Sequence, residues 1–131
     1  MLTPQERLDI LIIWDNIRGV SFIVREYVDE VGRVPFREWL VVLDVTARAR
    51  VQARILRFET GNLGDHKEVG GGVWEARLDF GPGYRVYFGR RGRELVLLLT
   101  GGDKKSQKKD LNRARAFWRD YLKGQTHGKT Q

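Results

Sequence analysis

Val73-Trp74-Glu75-Ala76-Arg77-Leu78-Asp79-Phe80, then Gly81-Pro82-Gly83, then Tyr84-Arg85-Val86-Tyr87-Phe88 is the stretch that decides the fold. Trp74, Ala76, Leu78 and Phe80 alternate with Val73, Glu75, Arg77 and Asp79, the period of a half-buried strand with a wet polar face. Gly81-Pro82-Gly83 is a turn, after which Tyr84, Val86 and Phe88 alternate with Arg85 and Tyr87. Arg90-Arg91-Gly92-Arg93 is the next turn. Leu95-Val96-Leu97-Leu98-Leu99 is apolar at every position, which predicts the central strand of an antiparallel meander. Eleven of the 15 glycines fall between Gly61 and Gly102 and punctuate these runs.

Upstream the texture is helical. Pro35 opens a helix in which Phe36, Trp39, Leu40 and Leu43 form one apolar stripe. After a break at 44–46, Ala47, Val51, Ile55 and Phe58 form a second stripe, with Arg50, Arg54 and Arg57 in a separate row and Gly61 closing the helix. So short a link predicts a helical hairpin. Val20–Val28 is rich in β-branched and aromatic residues and reads as a further strand. Thr3-Pro4-Gln5-Glu6 has the form of a capping box, predicting a helix to about Arg18 that Gly19 ends. Downstream, Ser106 is a candidate N-cap for a last helix with Leu111, Ala114, Phe117, Trp118, Tyr121 and Leu122 on its apolar face. The expected architecture is α+β, with about four strands, a helical hairpin on one face, a C-terminal helix and an extra N-terminal helix. Residues 1–19 are then a helical extension, 20–123 the main domain and 124–131 a frayed tail.

The 131 residues carry 24 Lys and Arg against 17 Asp and Glu, a net +7. A hydrophobic fraction of 41% supports a packed core and excludes wholesale disorder. With no cysteine, disulfide scaffolds, thiolate zinc sites and thiol catalysis are excluded. No apolar run reaches bilayer-spanning length and the first residues lack a signal-peptide pattern, so a cytoplasmic protein is the default expectation. Charge is uneven: 5 basic against 8 acidic residues in 1–44, 10 against 7 in 45–103, and 9 against 2 in 104–131. A field built toward one end favours a polyanionic partner, a solubilising basic helix being the competing reading.

Three places could carry chemistry. Strand alternation puts Arg77, Arg85 and Tyr87 on one polar surface, where Glu75 and Asp79 could equally pair with the arginines. Gly101-Gly102-Asp103-Lys104-Lys105-Ser106-Gln107-Lys108-Lys109 follows the third strand; its glycine pair would admit a phosphate and its lysines supply countercharge, unless it is only a solvated helix entry. It lacks P-loop spacing. Gly61-Asn62-Leu63-Gly64-Asp65-His66-Lys67 reads as a loop with one histidine. No metal-ligand spacing and no nucleophile elbow are present, and no cofactor is implied.

Phe36-Arg37-Glu38-Trp39-Leu40, Gly61-Asn62-Leu63-Gly64-Asp65, Gly72-Val73-Trp74-Glu75-Ala76-Arg77, Gly81-Pro82-Gly83-Tyr84-Arg85-Val86-Tyr87-Phe88 and Leu99-Thr100-Gly101-Gly102-Asp103-Lys104-Lys105-Ser106-Gln107 together resemble the addiction-module killer proteins of the RelE/ParE/HigB toxin superfamily. The resemblance covers about residues 20–123; residues 1–19 have no counterpart in it. It implies a RelE-like fold and a type II toxin neutralised by a cognate helix-turn-helix antitoxin. It also implies either a ribosome-dependent mRNA endonuclease or, as in the ParE branch, a non-nuclease inhibitor of DNA gyrase. Homo-oligomerisation is left open.

RNA cleavage by 2′-hydroxyl attack needs a base, an acid for the leaving 5′-oxygen and cations for the phosphorane charge. Like-charged neighbours disfavour the charged form of a lysine, so a clustered lysine can accept a proton. The expected site is Arg77 and Arg85 on the scissile phosphate, Lys104 or Lys105 in proton transfer, and Tyr87 stacking on a base or donating a hydrogen bond. Lys67 and Tyr84 are secondary RNA contacts, and Arg50, Arg54, Arg57 and Lys108 are expected to grip ribosomal RNA or an acidic antitoxin segment.

Overall fold

A computed structural model describes residues 1–7, 21–92 and 95–127. Its elements run β1 (Ile23–Glu26), α1 (Pro35–Val41), α2 (Val45–Phe58), β2 (His66–Gly70), β3 (Val73–Leu78), β4 (Tyr84–Arg91), β5 (Leu95–Gly102) and α3 (Gln107–His127). The strands form one sheet in the order β1-β5-β4-β3-β2. β2 through β5 are an antiparallel meander, and β1 adds parallel to β5 with Ile23 opposite Leu95 and Glu26 opposite Leu98. The fold is α+β with a mixed five-stranded sheet, consistent with a RelE-like fold.

Local chemistry explains the helices. Pro35 occupies the first turn of α1, where its missing N–H costs nothing. Asp44 caps α2 by accepting from the Ala47 N–H at 2.8 Å, an interaction worth about 1 kcal/mol. The expected capping box is present: Thr3 N–H donates to Glu6 at 2.9 Å and Glu6 N–H to the Thr3 hydroxyl at 3.1 Å. The rest of that helix, the Gly19 stop and the 128–131 tail lie outside the described residues. Ser106 immediately precedes α3 and its carbonyl accepts from Asp110 N at 2.9 Å, but its hydroxyl donates to the Asp110 carboxylate instead of capping. The helix continues past Thr126 to His127.

Two cores flank the sheet. On one face Phe36, Val51 and Phe58 of the hairpin pack with Ala76, Leu78, Val86, Phe88, Val96 and Leu98. On the other, Ala114 and Trp118 of α3 pack with Tyr27, Val73, Tyr87, Leu97 and Leu99. The predicted apolar stripes of α1 and α2 face the first core, and α3 brings Leu111, Phe117 and Tyr121 to the second. Only Leu122 of its predicted face is exposed.

Four sequence expectations change. The polar face of the meander is wet only in part, because α3 covers some of it: Glu75 and Tyr87 are 0% exposed and Arg85 8%, while Arg77 and Asp79 stay at the surface. The Leu95–Leu99 strand is interior, but β4 is the middle strand, since β1 lies outside β5. His66 and Lys67 stand on an edge strand, β2, instead of in a loop. Of the expected Val20–Val28 strand, the described residues 21–28 form strand only over Ile23–Glu26.

Candidate functional site

One end of the sheet gathers the cations. Register places Arg77 directly opposite Arg85 across β3 and β4, and Arg85 opposite Gly102 across β4 and β5. Lys104 and Lys105 follow at once, both exposed. A Cβ built on Gly83 would stand 3.5 Å from Lys104 Cβ and 3.6 Å from Arg85 Nη1, so both cations border the Gly81-Pro82-Gly83 turn.

Like charges facing each other across a sheet are destabilising. Here two carboxylates offset them. Arg77 Nη2 donates to Asp65 Oδ1 at 3.1 Å, with the arginine side chain 39% exposed. That hydrogen bond holds the Asp65 carboxyl below the ordinary carboxylate range, and the charges of Arg77, Arg54 and Arg85 act in the same direction. Arg85 Nε lies 3.7 Å from Glu75 Oε1, and Glu75 Oε2 accepts from Gln107 Nε2 of α3 at 2.8 Å. Cross-strand neutralisation, the competing reading of this surface, therefore holds for Glu75; the partner of Arg77 is Asp65.

Tyr87 sits opposite Glu75 with no exposed surface. Burial pushes its hydroxyl above the ordinary phenol range, and the Glu75 and Asp110 carboxylates add to this. A ring enclosed this way cannot stack on a base in this arrangement, which corrects the stacking role expected of it. The Tyr87 hydroxyl, Glu75 Oε1, Arg85 Nε, Arg77 Nε and Thr100 Oγ1 are all buried without a hydrogen-bond partner. Native interiors hold few such atoms, and their concentration marks a face whose polar character packing alone does not explain.

The remaining predicted residues separate into two groups. Arg50, Arg57, Lys67 and Lys108 are exposed. Arg50 lies over the Phe80 ring, 4.7 Å from its centroid. Tyr84 is half-buried between Phe80 at 5.2 Å and Trp39 at 6.2 Å, an aromatic row beside the cations that residue spacing did not single out. Arg54 does not belong with the grip residues. Its guanidinium donates to three backbone carbonyls, those of Leu63, Asp65 and Arg77, at 2.8 to 3.1 Å.

The glycine pair also serves another purpose than expected. A Cβ on Gly101 would run into the Trp39 ring and one on Gly102 into the Asp110 carboxylate. The pair admits α1 and α3 to the end of β5. Between these helices lies a polar cleft of about 360 Å³ lined by Trp39, Thr100, Ser106, Asp110 and Arg113 among others. Among the described residues no cluster of His, Asp or Glu could hold a metal, and no helix is long and apolar enough to cross a membrane.

Residues 38–117 match a family described as phage-derived protein Gp49-like. The chain belongs to the Gp49-like family. This family is associated with toxin–antitoxin addiction modules, which supports a toxin role and an antitoxin partner. An uncharacterized protein of Haemophilus influenzae is 47% identical over 81 residues, 61% of this chain and 82% of the relative. The Gp49-like match contains the end of α1, all of α2, β2 through β5 and the first half of α3, and so the entire cationic end of the sheet.

Proposed function

We propose that this chain is the toxin of a type II module of the RelE/ParE/HigB kind and cleaves mRNA on the ribosome. The observation that carries the reading is the cation row at one sheet end: Arg77 beside Arg85 in register, Lys104 beside Arg85 at the Gly83 turn, and Lys105 next in sequence. A phosphorane gains negative charge over the ground-state phosphodiester, and fixed cations stabilise that difference.

Arg77 is the side chain best placed to hold the scissile phosphate, because it is partly exposed and oriented by Asp65. One of Lys104 and Lys105, as the neutral amine, takes the 2′-hydroxyl proton as that oxygen attacks phosphorus, and a second, protonated group returns a proton to the departing 5′-oxygen. The products are a 2′,3′-cyclic phosphate and a free 5′-hydroxyl. Arg85 contributes charge from beneath the surface, since its side chain is 10% exposed. Arg50, Arg57, Lys67 and Lys108 contact the ribosomal RNA backbone, and Tyr84 beside Arg50 and Phe80 offers a base contact.

Induction of the protein without antitoxin, with protein and DNA synthesis followed by pulse labelling, tests this. Translation should stop first. If DNA synthesis stops first and gyrase–DNA complexes accumulate, the gyrase-inhibitor reading replaces it.

A further inference from the structure

Arg54 is the best-connected cation in the described chain, yet it faces backbone instead of solvent. Nε and Nη2 donate to the Leu63 carbonyl at 3.1 and 3.0 Å, Nη2 also to the Asp65 carbonyl at 2.8 Å, and Nη1 to the Arg77 carbonyl at 2.8 Å. The guanidinium thereby ties α2, the 61–65 loop and the end of β3 together. Asp65 is bonded to Arg77 twice more: its carbonyl accepts from Arg77 N at 2.9 Å and its carboxylate accepts from Arg77 Nη2. A planar fork with five donors suits this task, and a lysine ammonium cannot reproduce it.

Gly64 makes room for it. The residue has φ +66°, and a Cβ there would stand 2.6 Å from Arg54 Nε. The loop thus lies directly against the guanidinium, at a conformation that side chains rarely adopt.

We propose that Arg54 is a positioning residue: by clamping the 61–65 loop to the end of β3, it aims the Asp65 carboxylate at Arg77 and so fixes the Arg77 guanidinium for phosphate binding. The catalytic consequence rests on the ribonuclease reading above; the positioning itself does not. Burial lowers the Arg54 pKa from its ordinary value, and four charge-assisted hydrogen bonds offset the cost of holding that charge against backbone.

The test separates the two. The side-chain carboxyl carbon of Asp65 is followed by NMR as pH falls, in wild type and in Arg54→Lys, which keeps the charge but not the fork. The wild-type carboxyl titrates below the ordinary aspartate range. In Arg54→Lys it returns toward that range, and Gly64→Ala, which displaces the guanidinium from the other side, gives the same change. Cleavage of ribosome-bound mRNA falls by about a hundredfold in Arg54→Lys, the scale expected when a binding group is misplaced by roughly 1 Å. An ordinary Asp65 titration in wild type, or an unchanged one in folded Arg54→Lys, overturns the proposal. If Asp65 responds as stated while wild type cleaves no RNA, the positioning stands and the ribonuclease reading fails.

Discussion

Arg85 and Glu75 meet beneath α3, Nε 3.7 Å from Oε1, with side chains 10% and 0% exposed. Neither is the solvated strand residue that alternation suggests. Truncating one partner of a buried ion pair leaves the other charge uncompensated, which costs about 3–5 kcal/mol. Glu75→Ala also removes the acceptor for Gln107. It should lower unfolding free energy by about 3 kcal/mol, read from the urea midpoint at constant slope. A loss below about 1 kcal/mol would mean the pair is solvated. By the same argument Arg85→Ala should unfold the chain more readily, so loss of toxicity in that variant is interpretable only alongside its stability.

Thr100 gives a prediction of opposite sign. Its hydroxyl is buried without a partner at the end of β5. Thr100→Val keeps the branched shape and removes the unsatisfied group, whose burial costs about 1–3 kcal/mol. Thermal unfolding should show the variant at least as stable as wild type. A clear drop in melting temperature would show that the hydroxyl is hydrogen-bonded.

The Arg77–Asp65 pair sets a pH dependence. The folded Asp65 carboxyl lies below its ordinary value, so the stability it contributes is present above the unfolded aspartate pKa of about 3.9 and is lost as pH falls through the folded one. The stability difference between wild type and Arg77→Met should be flat from pH 8 to 5 and shrink on further acidification. A difference that instead changes between pH 8 and 6 would assign the partner to another group.

Much of the fold was legible because period and apolar content agreed. Phe36, Val51 and Phe58 announced the hairpin face, and Pro35 the start of its first helix. The second layer was legible in principle. Val73, Tyr87, Leu97 and Leu99 are too apolar for a wet face, and the stripe of α3 had no other surface to cover. β2 was missed because His66, Lys67 and Glu68 are polar and flanked by glycines, which is how an edge strand avoids further pairing. The role of Arg54 was not legible, since its acceptors are backbone carbonyls and residue types do not reveal those. The cation row was legible because strand register alone brings Arg77, Arg85 and the residues after Gly102 together.

Lys104 and Lys105 are exposed at the entry to α3, where the helix dipole disfavours cations. Changing either to Gln should weaken RNA binding and reduce the slope of log affinity against log salt by about one, the signature of a lost phosphate contact. Fluorescence anisotropy with a single-stranded RNA at several salt concentrations measures it. An unchanged slope removes that lysine from the RNA interface.

The central claim is that the cation row cleaves mRNA on the ribosome. Mapping RNA 5′-ends across translated genes after induction, in wild type and in a stable, folded Arg77→Ala variant, tests it most directly. The account predicts new ends that bear 5′-hydroxyls, keep phase with the reading frame, and disappear in the variant and on untranslated RNA. Intact mRNA in arrested wild-type cells would contradict it.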